Sequence, residues 1–560
     1  MNFKEELASH LTFSGLSPEE TVLTLEVPKD KANGDLAFPC FKIAKIKKMP
    51  PAQIAMEAAS ALKIDFVQKI EAKGAYLNFF LDRSYFAKVV LEEIETKKEN
   101  YGSSTQGAGK NVIIDFSSPN IAKPFHVGHL RSTVIGAALY RIYSLLGYNC
   151  IGINHLGDWG TQFGKLIVAY KLWSSEEEVK KGGVNTLTDI YVKFHEEASK
   201  NPDLEDQARA YMLKMQEGDE EALSIWQFFY DISMEEFNRI YKRLKVSFDY
   251  NTGESFYNDK MDAVVDELRE KNLLQESEGA QLVDLEEYNM PPCLILRKDG
   301  GTLYHTRDLA AAFYRKKEFN FYKALYLTAI DQNLHFSQLF KVIEKMGYNW
   351  DMGHVPFGLV SLESGKISTR GGNVVLMEEL LNEAESAAKS IIEKKNPNLE
   401  NKDRVAAQVG IGAVIFNDLY NNRIKDVLFS FDKMLNFDGE TGPFVQYAHA
   451  RACSLLAKAP AINHTDVDYG ALTDDAAFNL ITSLYYYKES IQEAAAKNEP
   501  YILTRRLMDI AQTFNRFYSD NPVLTGCDNV RTARLVVVQS TRNVLKWGLQ
   551  LLGIEVPEQM

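Results

Sequence analysis

Through the first hundred residues, helical-period alternation of apolar and polar positions is broken by short apolar runs such as YLNFFL (76–81), so the pattern predicts mixed helix and strand up to about residue 105. The polar, Gly/Ser-rich stretch YGSSTQGAGK (101–110) reads as a linker. Then NVIIDF (111–116) is a buried-strand pattern, SSPNIAKPF a loop, GHLRSTVIGAALYRIYSLLGY (128–148) a helix stopped by Gly147, and NCIGINH (149–155) a second strand. Strand, helix and strand in that order predict a parallel pair.

From about 165 to 290 the chain is charged and mostly helical in period, an insertion. The α/β pattern returns with FYKALYLTAID (321–331), a helix through SQLFKVIEKMGY (337–348), and a strand HVPFGLVSL (354–362). From about 404 onward five long apolar-periodic stretches predict helices alone, a bundle. The fold class expected is therefore α/β, a Rossmann-like parallel-sheet domain with a helical insertion (106–403), between an N-terminal α+β domain (1–105) and a C-terminal all-α helical bundle (404–560). At 560 residues the chain is too long for one core and fits roughly three or four domains.

Composition narrows the class. The 45% hydrophobic and 25% charged content is that of an ordinary globular protein. No apolar run is long enough to span a membrane, and MNFKEELASHL does not read as a secretion signal. Cys40, Cys150, Cys293, Cys453 and Cys527 are scattered singly, which argues against disulfides or a cysteine zinc site and fits the cytoplasm. A net charge of −13 opposes nucleic-acid binding overall, yet basic clusters occur locally: Lys42, Lys45, Lys47 and Lys48, and the stretch 505–546. On charge alone, solvated helix faces are a better reading than RNA.

Chemistry concentrates in the first βαβ unit. His126, Gly128 and His129 of HVGH fall where loop becomes helix, at the strand end where open α/β sheets bind ligands and free N–H groups favour anions. Two imidazoles can donate to phosphate oxygens, Lys123 adds fixed charge, and Gly128 lets a nucleotide approach the backbone. With 10 His and 34 Gly in the chain, H-x-G-H arises by chance about 0.01 times. After Leu362, ESGKISTRGGN offers Lys366, Ser368, Thr369 and Arg370 between glycines, a basic loop suited to gripping a triphosphate. A small-molecule nucleotidyltransferase, or a non-catalytic RNA-binding relative, remains compatible with these residues.

HVGH followed by KISTR resembles the paired "HIGH" and "KMSKS" motifs of class I aminoacyl-tRNA synthetases. DFSSPNIAKPFHVGHLRS (115–132), NHLGDWGTQFG (154–164), GTLYHTRDLAA (301–311) and TGPFVQYAHAR (441–451) narrow the resemblance to the arginyl-tRNA synthetase family over nearly the whole chain. The resemblance implies activation of L-arginine by ATP, with Mg²⁺ carried by the nucleotide and no dedicated metal site, then transfer to tRNA(Arg). It assigns catalysis to Lys123, His126, His129, Lys366 and Ser368, with Lys123 standing in for the second KMSKS lysine, which is Thr369 here. It assigns ATP to His126, Gly128, His129, Gly157, Asp158 and Lys366, with Trp159 shaping the same turn, and arginine to Asp115, Asn120, Tyr304, Asp308 and Gln332. Two carboxylates suit a guanidinium, although Asp115 alone could cap a strand and Tyr304 could be core. The N-terminal domain is expected on the tRNA elbow, and the C-terminal bundle, through Tyr447 and Arg451, on the anticodon loop. The expected state is a monomer, with adenylate formation requiring bound tRNA.

Overall fold

The apolar run at Asn111 forms β1 (Asn111–Asp115), and the helix after HVGH is α1 (Leu130–Leu145), which buries Leu130, Val134, Ile135, Ala138, Leu139 and Ile142. Gly147, at φ +85°, turns the chain into β2 (Asn149–Ile153). The computed structural model describes residues 1–298, 301–362, 365–366, 375–464 and 467–560, with the backbone alone for 362, 365 and 366. Contacts divide the chain into two units. One comprises Gly102–Ala450, Tyr487–Met508 and Leu545–Met560; the other comprises Met1–Tyr101, Arg451–Tyr486 and Asp509–Val544.

In the larger unit the insertion ends its longest helix as α2 (Glu220–Leu244), and α3 (Tyr304–Phe319) leads into β3 (Lys323–Tyr326). Then come α4 (Asn333–Lys345) and β4 (Asp351–His354). The strands lie in the order β4-β3-β1-β2, all parallel, as the βαβ pattern predicts. Asp115 aligns with Ile153 on one side and Tyr326 on the other, and Tyr326 with His354. From β1 the chain steps to β2 on one flank and later to β3 and β4 on the other. The carboxyl ends of β1 and β3 therefore flank a topological switch point, where such sheets leave a crevice for ligands.

The expected strand 354–362 is two strands. Pro356 has no N–H to donate, β4 stops at His354, and β5 (Val360–Leu362) belongs to another sheet. There it pairs antiparallel with β6 (Gly365–Lys366) and parallel with β7 (Val427–Phe429). β7 also departs from the all-helical expectation beyond 404; three residues are too few to leave a period. The insertion holds helices Thr161–Trp173, Glu176–Ala198 and Asp203–Glu217 besides α2, but an antiparallel sheet of Leu274–Ser277, Ala280–Val283 and Cys293–Leu296 follows. The periodic stretch 475–497 breaks at Tyr486 into Asp475–Tyr485 and Tyr487–Lys497.

The smaller unit has a three-stranded antiparallel sheet with Tyr76–Leu81 in the centre, between Leu36–Pro39 and Val67–Lys73. Its core joins Phe86 to Phe3 at a centroid distance of 5.0 Å, to Tyr485 at 5.4 Å and to Phe478 at 5.5 Å. The first hundred residues thus share one core with helix Asp475–Tyr485.

Candidate active site

The loop from β1 to α1 holds three non-glycine residues at positive φ, Ser117 (71°), Ser118 (51°) and Ala122 (58°), a conformation that persists only when its surroundings enforce it. The restraints are specific. Ser117 N–H donates to Ser132 Oγ at 2.9 Å, and Ser118 N–H donates to Asn154 Oδ1 at 3.1 Å. Helix α2 supplies more: Ala122 N–H donates to Ser233 Oγ at 2.8 Å, and Phe125 N–H donates to Glu236 Oε1 at 3.2 Å. The insertion therefore braces the HVGH loop.

At the end of that loop His126 and His129 stack, with ring centroids 4.0 Å apart. His126 Nδ1 accepts Gly128 N–H at 3.0 Å, and His129 Nδ1 accepts His126 N–H at 3.2 Å. With both Nδ1 atoms accepting, each neutral ring carries its hydrogen on Nε2 and presents a donor. Burial, followed by the charge of Lys123, lowers the His126 pKa. Burial and then His126 push His129 down to about 3. Both imidazoles are thus neutral donors at pH 7, and fixed positive charge comes from Lys123, which is exposed. A Cβ on Gly128 would lie 2.7 Å from the His126 ring, so glycine is required by the histidine pair itself.

The chain downstream of the second motif, at residues 375–377, pairs with the first. Val127 N–H donates to Val375 O at 3.1 Å, and Met377 N–H donates to Phe125 O at 2.9 Å, a short ladder around His126 and Leu376. Ser368, Thr369 and Arg370 lie outside the described residues, as does the Lys366 side chain.

At the mouth of the crevice the two acidic groups expected for arginine face a common set of neighbours. The charges of both Asp115 and Asp308 act on His155 and on Tyr326. Asp115 is already engaged: Arg315 Nη1 lies 2.8 Å from Oδ2, and Ser118 Oγ donates to Oδ1 at 3.0 Å. Arg315 is 1% exposed, with its guanidinium 5.6 Å from the Tyr326 ring centroid and 5.9 Å from that of Tyr257. Asp308 Oδ2 accepts from His335 Nε2 at 2.6 Å, and its Oδ1 lies 3.9 Å from His155 Nε2. One turn before Asp308 on α3, Tyr304 is 69% exposed and available to stack.

Sequence reasoning missed Glu254. It lies 3.4 Å from Arg307 and in the field of Asp308; burial pushes its carboxyl up to about 7, with Arg307 opposing and Asp308 and Asp158 adding. Asp158, assigned to the nucleotide, is 2% exposed and gives its oxygens to Ser255, at 2.8 Å from N–H and 2.7 Å from Oγ. Its carboxylate thus holds the segment that carries Glu254. Gly157 bonds to Pro119 and Ile121, and a Cβ there would collide with the Asn120 amide, so it too is joined to the HVGH loop. Asn120 is exposed, and Gln332 is exposed at the start of α4. Tyr447 is 39% exposed. Arg451 donates to Asn515 Oδ1 at 2.5 Å and lies over the Tyr518 ring.

Three family models match the chain: tRNA synthetases class I (R), catalytic domain, over residues 90–431; DALR anticodon binding domain over 445–560; and arginyl tRNA synthetase N terminal domain over 1–81. Fold and site are those of a class I aminoacyl-tRNA synthetase. The arginine–tRNA ligase of Alkaliphilus metalliredigens is 55% identical over 100% of both chains, and that of Clostridioides difficile 52% over 97% of each. The solved Thermus thermophilus arginyl-tRNA synthetase superposes with a TM-score of 0.83 at 25% identity, covering 100% of this chain and 99% of its own. The Plasmodium falciparum enzyme gives 0.81 at 26%, covering 100% and 98%. The chain belongs to the arginyl-tRNA synthetase family.

Proposed function

We propose that the chain activates arginine in the crevice between β1 and β3 and loads it onto tRNA(Arg). The substrate carboxylate, ionised at pH 7, attacks the α-phosphorus of ATP in line; the bond to the β-phosphate oxygen breaks, pyrophosphate leaves with its Mg²⁺, and arginyl-adenylate remains. A hydroxyl of the terminal adenosine of tRNA then attacks the carbonyl carbon and AMP departs. The first step needs positioning and charge stabilisation and no general base.

His126 and His129 donate their Nε2 hydrogens to phosphate oxygens, the Gly128 backbone lies against the nucleotide, and Lys123, Lys366 and Ser368 steady the departing pyrophosphate. The ladder from Val127 to Val375 is the observation that supports this reading, because it joins the HVGH loop to the chain a few residues after KISTR. Asp308 and Glu254 take the guanidinium, Tyr304 covers its face, and Asn120 and Gln332 take the amino and carboxylate groups. Asp115 serves through Arg315, and Gly157 and Asp158 serve by shaping the loops around Asn120 and Glu254. Residues 106–403 are the catalytic domain, 1–105 the elbow-binding domain and 404–560 the anticodon-binding domain, with Tyr447 and Arg451 on its RNA face. The enzyme acts as a cytoplasmic monomer.

Pyrophosphate exchange with each standard amino acid, with and without tRNA(Arg), tests the assignment. Arginine alone should support exchange, and only with tRNA present; exchange with another amino acid would overturn it.

A further inference from the structure

Asp308 has two oxygens, and the fold has already used one of them. His335 Nε2 lies 2.6 Å from Oδ2, while Oδ1 stands 3.9 Å from His155 Nε2, beyond hydrogen-bond length. An ionised carboxylate only accepts, so the hydrogen is on His335 Nε2. The His335 ring is not free to turn away: it stacks on His305 at 4.1 Å between centroids and meets Phe336 edge-on at 5.3 Å. Helix α4 therefore fixes the rotamer of an acidic side chain on α3.

We propose that His335 is a positioning residue for arginine specificity, holding Asp308 charged and turned so that Oδ1 alone meets the substrate guanidinium. A carboxylate with both oxygens free takes a guanidinium as a fork. With Oδ2 turned to His335, Asp308 meets the guanidinium through Oδ1 and leaves the N–H groups that Oδ1 does not reach to the second acidic group, Glu254. This rests on the assignment of Asp308 to the guanidinium made above.

The electrostatics agree. Burial works against ionisation of Asp308, but the hydrogen bond and charge of His335, with His155 and Arg315, outweigh it and hold the carboxyl below its ordinary value. The other groups facing it are Glu254 on the segment after Gly253, Tyr326 on β3 and Cys293 on its strand, while His305 and Arg307 flank it on α3 and Asp115 ends β1. Without His335 the effect of burial is less opposed, and Asp308 protonates more readily as pH falls.

The test measures pyrophosphate exchange by the full chain with tRNA(Arg), from about pH 8 to about pH 6, for His335→Phe, which keeps a ring without a donor, His335→Gln, which restores one, and Asp308→Asn. His335→Phe should raise KM for arginine about tenfold or more, increasingly toward acid, with kcat and KM for ATP within about twofold. His335→Gln should recover most of the loss. If the phenylalanine variant does not fold, His335→Leu lacks the donor equally and reads the same quantity. Should Asp308→Asn raise KM for arginine while His335→Phe leaves it unchanged, the proposal falls and the Asp308 assignment stands. Should neither move it, that assignment falls too. An equal loss in kcat and in KM for ATP would reduce His335 to a packing residue and overturn the proposal.

Discussion

Arg315 Nη1 lies 2.8 Å from Asp115 Oδ2, both side chains enclosed at the carboxyl end of β1, so a carboxylate expected to meet a substrate guanidinium already holds one from the chain itself. Two buried aromatic rings flank this internal cation. Its charge cancels that of Asp115, and the net acidity left for a second guanidinium rests on Asp308 and Glu254.

Asp115→Asn should therefore act first on stability. It leaves a buried arginine uncompensated, a change that costs about 3–5 kcal/mol. Urea unfolding should show that loss, with KM for arginine in the remaining folded protein rising less than in Asp308→Asn. A variant of unchanged stability with a large KM defect would instead mean that Asp115 touches the substrate.

Lys123 precedes HVGH and Lys366 opens KISTR, the two segments proposed to grip phosphate, and the imidazoles of HVGH are neutral. Removing either lysine should deprive the pyrophosphate of a charge that no histidine replaces. Lys123→Ala and Lys366→Ala should slow adenylate formation to similar degrees, about 10²-fold or more, in single-turnover measurements. A near-silent Lys123→Ala would remove Lys123 from the reaction.

What a sequence discloses here depends on range. The βαβ unit and HVGH are contiguous, so period and motif carry them. That Asp308 and Arg315 share a face of α3, two turns apart, was also legible, but nothing local says that Arg315 reaches Asp115, some 200 residues earlier in the chain. Glu254 sits in a charged insertion whose period describes packing and not the site. Pro356 was a visible sign that 354–362 could not be one strand, whereas three-residue β7 pairs across the fold and leaves no pattern.

Acid should destabilise the chain through its partly buried histidines. His129 is held down to about 3, and His305 and His354 to about 4, in each case by burial first. These depressed values mean that folding excludes a proton the unfolded chain accepts near pH 6.5. Their stabilisation is complete above that pH and is lost as pH falls toward 4 and then 3. Each contributes a slope of about 1.4 kcal/mol per pH unit in that window. Urea midpoints between about pH 7 and about pH 5 should fall for the wild type and fall less steeply for His354→Gln. Equal slopes would show that His354 does not stay neutral in the fold.

Arg131, in the HVGHLRS segment, connects the HVGH loop to distant structure. Its Nε is 2.9 Å from Asp418 Oδ1 on helix Lys402–Leu419, with both side chains 0% exposed, and its Nη1 donates to Gly358 O at 3.0 Å and Lys425 O at 2.7 Å. Burial pushes the Asp418 carboxyl up even against Arg131, so the pair stands on mutual neutralisation rather than on a large net gain. Breaking it from one side, by Arg131→Met or Asp418→Leu, should cost about 3–5 kcal/mol because the survivor is a buried lone charge. The double variant should be less damaged than the sum of the two, by about 1–3 kcal/mol. It should not recover fully, because the Gly358 and Lys425 carbonyls lose their donor in either background that lacks Arg131. Strictly additive losses in a double-mutant cycle of urea unfolding would mean that the two charges do not stabilise one another.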